Sequence, residues 1–101
     1  MTGLRVYPLP ERAGLRLVGD VDLSTHEVLQ AALRPLVHRD CDVCVDLSEV
    51  TFVDVSGASL LVSTGLGLGG GRRMVLRQPP PALRRTLELF WAGNPSIEVV
   101  T

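Results

Sequence analysis

A chain of 101 residues is long enough for one hydrophobic core and too short for two. Its composition, 46% hydrophobic and 21% charged, is typical of a globular protein, and ten Lys and Arg against eleven Asp and Glu leave a net charge of -1, which argues against DNA or RNA binding. No apolar run approaches the roughly 18 residues of a membrane span, and residues 1–5 lack the pattern of a secretion signal, so we expect a cytoplasmic protein without direct membrane insertion.

Two strands and a helix are predicted in the first third of the chain. Residues 4–7 and 15–17 alternate apolar and polar side chains around the turn-rich segment 8–14. Ser24 and Glu27 have the spacing of a capping box, in which the two side chains satisfy free N–H groups of a first helical turn. A helix is therefore expected to begin at this point.

This first helix is predicted to pack one apolar face inward. At three- and four-residue spacing the face contains Val28, Leu29, Ala32, Leu33, Leu36 and Val37. Pro35 blocks a backbone hydrogen bond, so we expect it to kink the last turn or to separate it. The apolar run 43–47 then predicts a central strand, and strand-forming residues continue over 50–53.

From Ser56 onward the period of the apolar residues changes to that of a helix. Its buried side is expected to contain Ala58, Leu61, Val62 and Gly65. Its other side contains Ser56, Ser59, Leu60 and Ser63. The glycine-rich segment 65–71 ends this helix, and because it follows a helix and precedes a strand it is interpreted as a connection rather than a nucleotide-binding loop.

The last third of the chain predicts a strand at 73–77, a helix that the prolines 79–81 begin, and a terminal strand at 97–100. The inward stripe of the helix is expected to contain Leu83, Leu87 and Phe90. Trp91 could face the core or a partner, and its helical spacing from Leu83 and Leu87 favours the core. Strands that alternate with helices in this order indicate a mixed or parallel α/β sheet.

Cys41 and Cys44 have the C-x-x-C spacing of redox pairs, but they lie at the start of a predicted strand. Residues three apart in a strand point to opposite faces with about 10 Å between their Cα atoms. A disulfide needs Cα atoms within about 7 Å. We therefore predict that Cys44 is a core residue and Cys41 a turn residue, and we expect no metal site and no cofactor.

Segment 52–61 places a serine where a strand gives way to a helix. The strand is expected to end at Asp54, and the helix to begin at or just after Ser56. Ser56 could serve only as a helix N-cap, or it could be a functional hydroxyl, and composition does not decide between these roles. Asp54, His26 and His38 supply residue types for a hydrolase, but no nucleophile elbow surrounds Ser56 and both histidines are expected to be solvated, so we predict no enzyme.

Residues 52–58, Phe-Val-Asp-Val-Ser-Gly-Ala, together with 45–47 and 19–23, resemble the STAS domain of bacterial anti-sigma factor antagonists. The resemblance covers nearly the whole chain. It implies a single STAS-like domain over residues 1–101, an α/β fold with a mixed four- to five-stranded β-sheet and three main helices packed mostly on one face. It also implies that segment 19–23 forms a loop beside the turn that contains Ser56.

The resemblance further implies a regulatory function. Members of this family bind an anti-sigma factor, usually an ATP-using serine kinase, and thereby free a sigma factor; the kinase phosphorylates the serine of a D-x-S-G motif, and a phosphatase reverses the modification. By position that serine is Ser56, and Asp54 is the neighbouring carboxylate. We therefore expect an anti-sigma factor antagonist that phosphorylation of Ser56 switches off, a monomer or weak dimer whose partners are the kinase and a phosphoserine phosphatase.

The partner-binding surface is predicted to surround Ser56, with Leu60 as its apolar anchor. It contains Asp22, Ser24, Asp54, Val55, Ser56, Gly57, Ser59, Leu60 and Ser63. STAS-like domains also serve as accessory subunits of membrane transport complexes, including lipid transporters, in which the same surface docks on an ATPase. This function is the alternative.

Overall fold

Five strands form one mixed sheet in which their spatial order equals their order in the chain. The computed structural model describes residues 3–91 and 93–101; Met1, Thr2 and Ala92, and with them part of the stretch inspected for a secretion signal, lie outside the described residues. The strands are β1 (Leu4–Pro8), β2 (Gly14–Val21), β3 (Val43–Val53), β4 (Met74–Arg77) and β5 (Ile97–Val100). β1 pairs antiparallel with β2, and all later neighbours pair in parallel, which confirms the predicted mixed sheet.

Three helices connect the parallel strands. They are α1 (His26–Leu33), α2 (Val55–Leu66) and α3 (Pro81–Trp91). A 3-10 turn, Leu23–Thr25, precedes α1, and a second one, Arg34–His38, follows it, so the last turn of the first helix is separate as Pro35 predicted. Because every crossover moves one strand in the same direction and such crossovers are right-handed, the helices pack on one face of the sheet. None of the helices in the described ranges is long and apolar enough to cross a membrane.

The core lies between that face and the helices. On β3, Val43, Val45 and Leu47 point inward and are fully or almost fully buried. The helices contribute the buried side chains Leu29, Leu33, Ala58, Leu61, Val62, Leu83 and Leu87. The buried side of α2 contains Ala58, Leu61, Val62 and Gly65, as predicted. The prediction was possible because the serines lie on the other side of the helix.

The opposite face of the sheet is held together by ion pairs. Arg77 on β4 contacts Asp46 on the neighbouring strand, with 3.0 Å between nitrogen and oxygen, and also contacts Glu11. Burial alone would raise the pKa of Asp46, but hydrogen bonds from Ser48 and Arg77 outweigh it and hold that pKa below its usual value. The face away from the helices therefore carries ionised side chains beside the buried Cys44 and Val75.

Both cysteines are free thiols, Cys44 buried and Cys41 exposed, which confirms the predicted roles. Burial raises the pKa of the Cys44 thiol. Cys44 is therefore not a reactive thiolate at neutral pH.

The predicted helix cap at Ser24 and Glu27 is wrong. Asp22 is the N-cap of the 3-10 turn, and its carboxylate accepts hydrogen bonds from the N–H of Ser24 at 2.9 Å and from the Ser24 hydroxyl at 2.6 Å. In return the buried Thr25 hydroxyl accepts the N–H of Asp22 at 3.0 Å. The helical path thus starts earlier than predicted, because Asp22 competes with Ser24 for the capping role and Thr25 completes the box.

Two predicted core residues lie on the surface. Val28 is exposed on α1, and Phe90 is 72% exposed on α3. The inward row of α3 consists of Leu83, Leu87 and Trp91, which recur every four residues, and Trp91 packs partly buried against the core as expected. Phe90 lies beside this row, with its ring 5.8 Å from that of Trp91.

Gly57 allows the first turn of α2 to approach the end of β2. It is buried, and a Cβ atom at this position would lie 2.4 Å from Cγ1 of Val21 and 3.2 Å from Cγ1 of Val53. Both valines are β-branched and have few alternative rotamers. A side chain at position 57 would therefore push the helix away from the strands.

We expect Gly57→Ala to lower the free energy of unfolding by about 1 to 2 kcal/mol, because overpacking against Val21 exceeds the gain of about 1 kcal/mol in helix propensity. Urea denaturation of both proteins measures the change. Gly3→Ala is the control, since nothing lies within 4 Å of an added Cβ there. An unchanged or higher stability of Gly57→Ala would contradict the close approach.

Candidate functional site

The carboxyl ends of β2 and β3 bring two turns together. Val21 is paired with Val53 in the parallel register, and the N–H of Asp54 donates a 3.0 Å hydrogen bond to the carbonyl of Val21. Asp22 and Asp54, each the first residue after its strand, therefore begin adjacent turns. Segment 19–23 lies beside the Ser56 turn, as the family resemblance implied, although its residues up to Val21 belong to β2 rather than to a loop.

Asp54 is the N-cap of α2. Its Oδ1 atom accepts the backbone N–H of Gly57 at 2.8 Å and the hydroxyl of Ser56 at 2.7 Å. The helix begins at Val55, so the expectation that it begins at or after Ser56 is wrong, and so is the alternative in which Ser56 itself is the cap. Because the carboxylate of Asp54 takes the capping role, the Ser56 hydroxyl is left as a side group of the first turn.

The same contacts keep Asp54 ionised. The N–H of Gly57, the hydroxyl of Ser56 and the charge of nearby His26 together lower the pKa of Asp54 below its usual value. Ser56 therefore donates to a charged acceptor at neutral pH, and a hydrogen bond of this kind is stronger than one between neutral groups.

The arrangement does not activate Ser56 as a nucleophile. A catalytic serine donates its proton to a histidine, whereas Ser56 donates to a carboxylate. His38 is exposed as expected, but His26 is only partly exposed, and its Nδ1 atom is buried without a hydrogen-bond partner in the part of the chain that the structure describes. The expectation that both histidines are solvated is thus wrong for His26, which packs at the start of α1.

The predicted surface residues divide into two groups. Asp22, Ser24, Asp54, Val55 and Ser56 gather at the paired strand ends, with Ser56 partly exposed and Gly57 buried beneath them. Ser59 and Ser63 extend the surface along the exposed side of α2. Leu60, the predicted anchor, is partly buried against the core, which leaves less of it for a partner.

The two turns at the site expose apolar side chains other than the predicted anchor Leu60. Leu23 and Val55, which follow the two capping aspartates, are 78% and 71% exposed, and Phe52 is half exposed. A shallow cavity of about 270 Å³ separates Phe52 and Val55 from Leu83 and Thr86 on α3. Sequence reasoning missed Leu23 and Phe52; the signal for Leu23 was an apolar residue directly after a capping aspartate.

The rim of the site is acidic. Asp20, Asp22 and Asp54 lie at or next to the ends of β2 and β3, and the hydroxyl of Thr51 donates to the carboxylate of Asp20. The ion pairs found within residues 3–91 and 93–101 do not include any of these three carboxylates. An anion added at Ser56 would therefore lie next to the negative charge of Asp54, to which its hydroxyl is bonded.

At pH 7 we expect Asp54→Ala to lower the free energy of unfolding by about 1 kcal/mol, the usual value of an N-cap, and Asp54→Asn to lower it less, because an amide oxygen still caps. Folding lowers the pKa of Asp54. The wild type is therefore more stable than Asp54→Asn at pH values above the unfolded pKa of about 3.9, and this difference in the free energy of unfolding disappears as the pH falls through the lower folded pKa. Urea denaturation at pH 7, 5 and 3 measures this gap.

The control is Asp40→Asn, which changes an exposed carboxylate before the start of β3, at the opposite end of that strand from Asp54, and should leave stability unchanged. A gap between wild type and Asp54→Asn that stays constant or widens towards pH 3 would show that the ionised carboxylate does not stabilise the turn.

Comparison with known proteins agrees with this geometry. Solved structures that share the fold include the anti-sigma factor antagonist SpoIIAA in its unphosphorylated form, with a TM-score of 0.70, 18% identity and coverage of 97% of this chain and 88% of that chain. They also include the Bacillus cell fate determinant SpoIIAA in the phosphorylated form, with a TM-score of 0.69, 18% identity and coverage of 97% of this chain and 91% of that chain. The curated proteins gave no match. The family model described as "Mlab, STAS domain" matches residues 7–97, and the chain therefore belongs to the STAS domain family.

Proposed function

We propose that this STAS domain is an anti-sigma factor antagonist, a binding protein rather than an enzyme, and that phosphorylation of Ser56 by the anti-sigma factor kinase abolishes its binding. The proposal depends on one observation: Ser56 is partly exposed on the first turn of α2 and bonded to Asp54, with exposed Val55 before it and exposed Leu23 on the adjacent turn. The fold shared with SpoIIAA, an anti-sigma factor antagonist of known phosphorylated form, supports it.

In the unmodified state the site suits an apolar contact. Val55 and Leu23 are both exposed, and full burial of such side chains stabilises a contact by about 1.5 to 3 kcal/mol each. The Ser56 hydroxyl already donates to Asp54, so a partner can cover it without leaving an unpaired donor. The anti-sigma factor therefore binds through Val55 and Leu23, which the two adjacent turns expose.

A phosphoryl group changes this contact in two ways. It replaces the hydroxyl hydrogen, so Ser56 can no longer donate to Asp54, and it adds about 1.5 to 2 negative charges next to that carboxylate. Repulsion from Asp54 directs the phosphate outward, where the partner would have to bury a dianion. A loss of about 3 kcal/mol would weaken binding more than a hundredfold.

The domain itself should tolerate the phosphate. The first N–H groups of a helix and the positive end of its dipole favour an anion by about 0.3 to 1 kcal/mol. Phosphorylation therefore acts on the partner contact rather than on folding, and a phosphoserine phosphatase that removes the group restores binding.

The transport-subunit function is the second candidate, because the matching family model is described by the name Mlab. In that case the same surface around Ser56 would dock on the ATPase of a membrane transport complex. Co-purification separates the two functions: a serine kinase as the retained partner supports the antagonist, and a transport ATPase supports the alternative.

Incubation with a candidate anti-sigma factor kinase and ATP is expected to add one phosphate to the wild type and none to Ser56→Ala, as measured by intact mass. In a binding assay with that kinase, Ser56→Ala should bind like the wild type, and Ser56→Asp should bind at least tenfold more weakly because it carries a charge on the contact surface.

The charge control is Cys41→Asp, at an exposed position before the opposite end of β3, which should not change binding. Equal binding by Ser56→Ala and Ser56→Asp would contradict the switch.

We expect Val55→Ser and Leu23→Ser to reduce kinase binding at least tenfold each, since burial of each apolar side chain contributes about 1.5 to 3 kcal/mol and tenfold corresponds to about 1.4 kcal/mol. Their thermal stability should be nearly unchanged because both side chains are exposed. Leu89→Ser is the matched control, as Leu89 is 75% exposed but lies on α3, and it should bind like the wild type. Normal binding by both test variants would place the contact elsewhere.

A further inference from the structure

β5 presents an open edge of the sheet. In the part of the chain that the structure describes, it is the last strand and pairs only with β4. The carbonyls of Ser96 and Val100 accept hydrogen bonds from the N–H groups of Met74 and Gln78, at 2.8 and 2.6 Å. Because backbone groups of successive strand residues point to alternate sides, the N–H and C=O of Val99 point away from β4.

A trough follows this edge between β5 and α3. It consists of two adjoining cavities of about 450 and 260 Å³, and the side chains of Val99 and Glu88 line both. The larger cavity is bounded by Pro81, Arg84, Arg85 and Thr101. The smaller cavity is bounded by Leu87, Trp91, Gly93 and Ile97. The trough therefore runs the length of β5, with its outward backbone groups at the centre.

The two ends of the trough differ in charge. Arg84 and Arg85 are both exposed, and neither belongs to an ion pair among residues 3–91 and 93–101. Glu98 on β5 cannot neutralise them, because it pairs with Arg73 at 2.9 Å on the other face of the sheet. Glu88, one turn along α3 from both arginines, lines both halves of the trough. One half thus offers two guanidinium groups against one carboxylate, and the other half is lined mostly by apolar side chains.

We propose that this trough binds an extended acidic segment of a partner protein, which adds to β5 as a further strand. Main-chain hydrogen bonds to Val99 would supply affinity, as in other sheet-edge complexes. Carboxylate side chains of the segment would pair with Arg84 and Arg85, whose forked guanidinium groups suit a carboxylate. The edge lies two strands from β3 and its Ser56 turn, so the trough does not depend on the state of that serine.

The probe is a fluorescein-labelled hexapeptide of alternating glutamate and valine, compared with a hexapeptide of alternating lysine and valine. Fluorescence anisotropy should show saturable binding of the acidic peptide and at least tenfold weaker binding of the basic one. Amide shift changes in ¹H–¹⁵N spectra should centre on Val99. Binding should fall at least tenfold in the Arg84→Glu/Arg85→Glu double variant and in Val99→Pro, which removes the outward N–H and leaves the pairing with β4.

Arg34→Glu reverses an exposed charge on another face and should bind the acidic peptide normally, as should Ser56→Asp. The Ser56→Asp result separates this proposal from the function proposed above. Equal binding of both peptides, shift changes remote from β5, or full affinity in the arginine double variant would overturn the proposal. A last outcome would also overturn it: the wild type forms a dimer in sedimentation velocity, Val99→Pro is a monomer, and the acidic peptide does not bind. In that case a second copy of this chain would cover the edge.

Discussion

The parallel pairing of β2 with β3 at their carboxyl ends is the constraint on which the site depends. The register sets Val21 opposite Val53, and the bond from the N–H of Asp54 to the carbonyl of Val21 carries that pairing one residue beyond the strand. Two turns that are distant in sequence thereby share one surface. The missing side chain of Gly57 completes the arrangement, since α2 can begin directly against Val21.

Asp54 links stability to the availability of the serine. One carboxylate oxygen caps α2 through Gly57 and accepts the hydroxyl of Ser56, so the capped first turn of the helix also holds the group that a kinase would modify. A hydroxyl held in this way has a defined position on the surface without being enclosed. The neighbouring apolar residues Val55 and Leu23 are exposed because they follow the caps, where the chain turns away from the core.

Patterns with a strong period predicted most of the fold, and competing local preferences caused the errors. The terminal strand Ile97–Val100 was predicted residue for residue, and β4 to within one residue, because short apolar runs between turns leave few alternatives. The cap at Asp22 was missed because Ser24, two residues later, suits the same role. Phe90 is exposed because the side of α3 with Leu83, Leu87 and Trp91 faces the sheet. The sequence of α3 alone does not decide between Phe90 and Trp91 for this inward side. For the candidate site the sequence predicted the serine, its carboxylate and Val55, but not the bond between Ser56 and Asp54, nor the exposed Leu23 and Phe52.

The simple order of the sheet has a consequence for how the domain is assembled and varied. Each crossover adds one strand beside the preceding one, so the serine turn is built from β2, β3 and the start of α2, while α3 and β5 form the far flank. During translation, the residues that form the serine turn are therefore synthesised before α3 and β5. Substitutions on β5 can therefore reshape the outer edge without altering any of the three elements that position the hydroxyl.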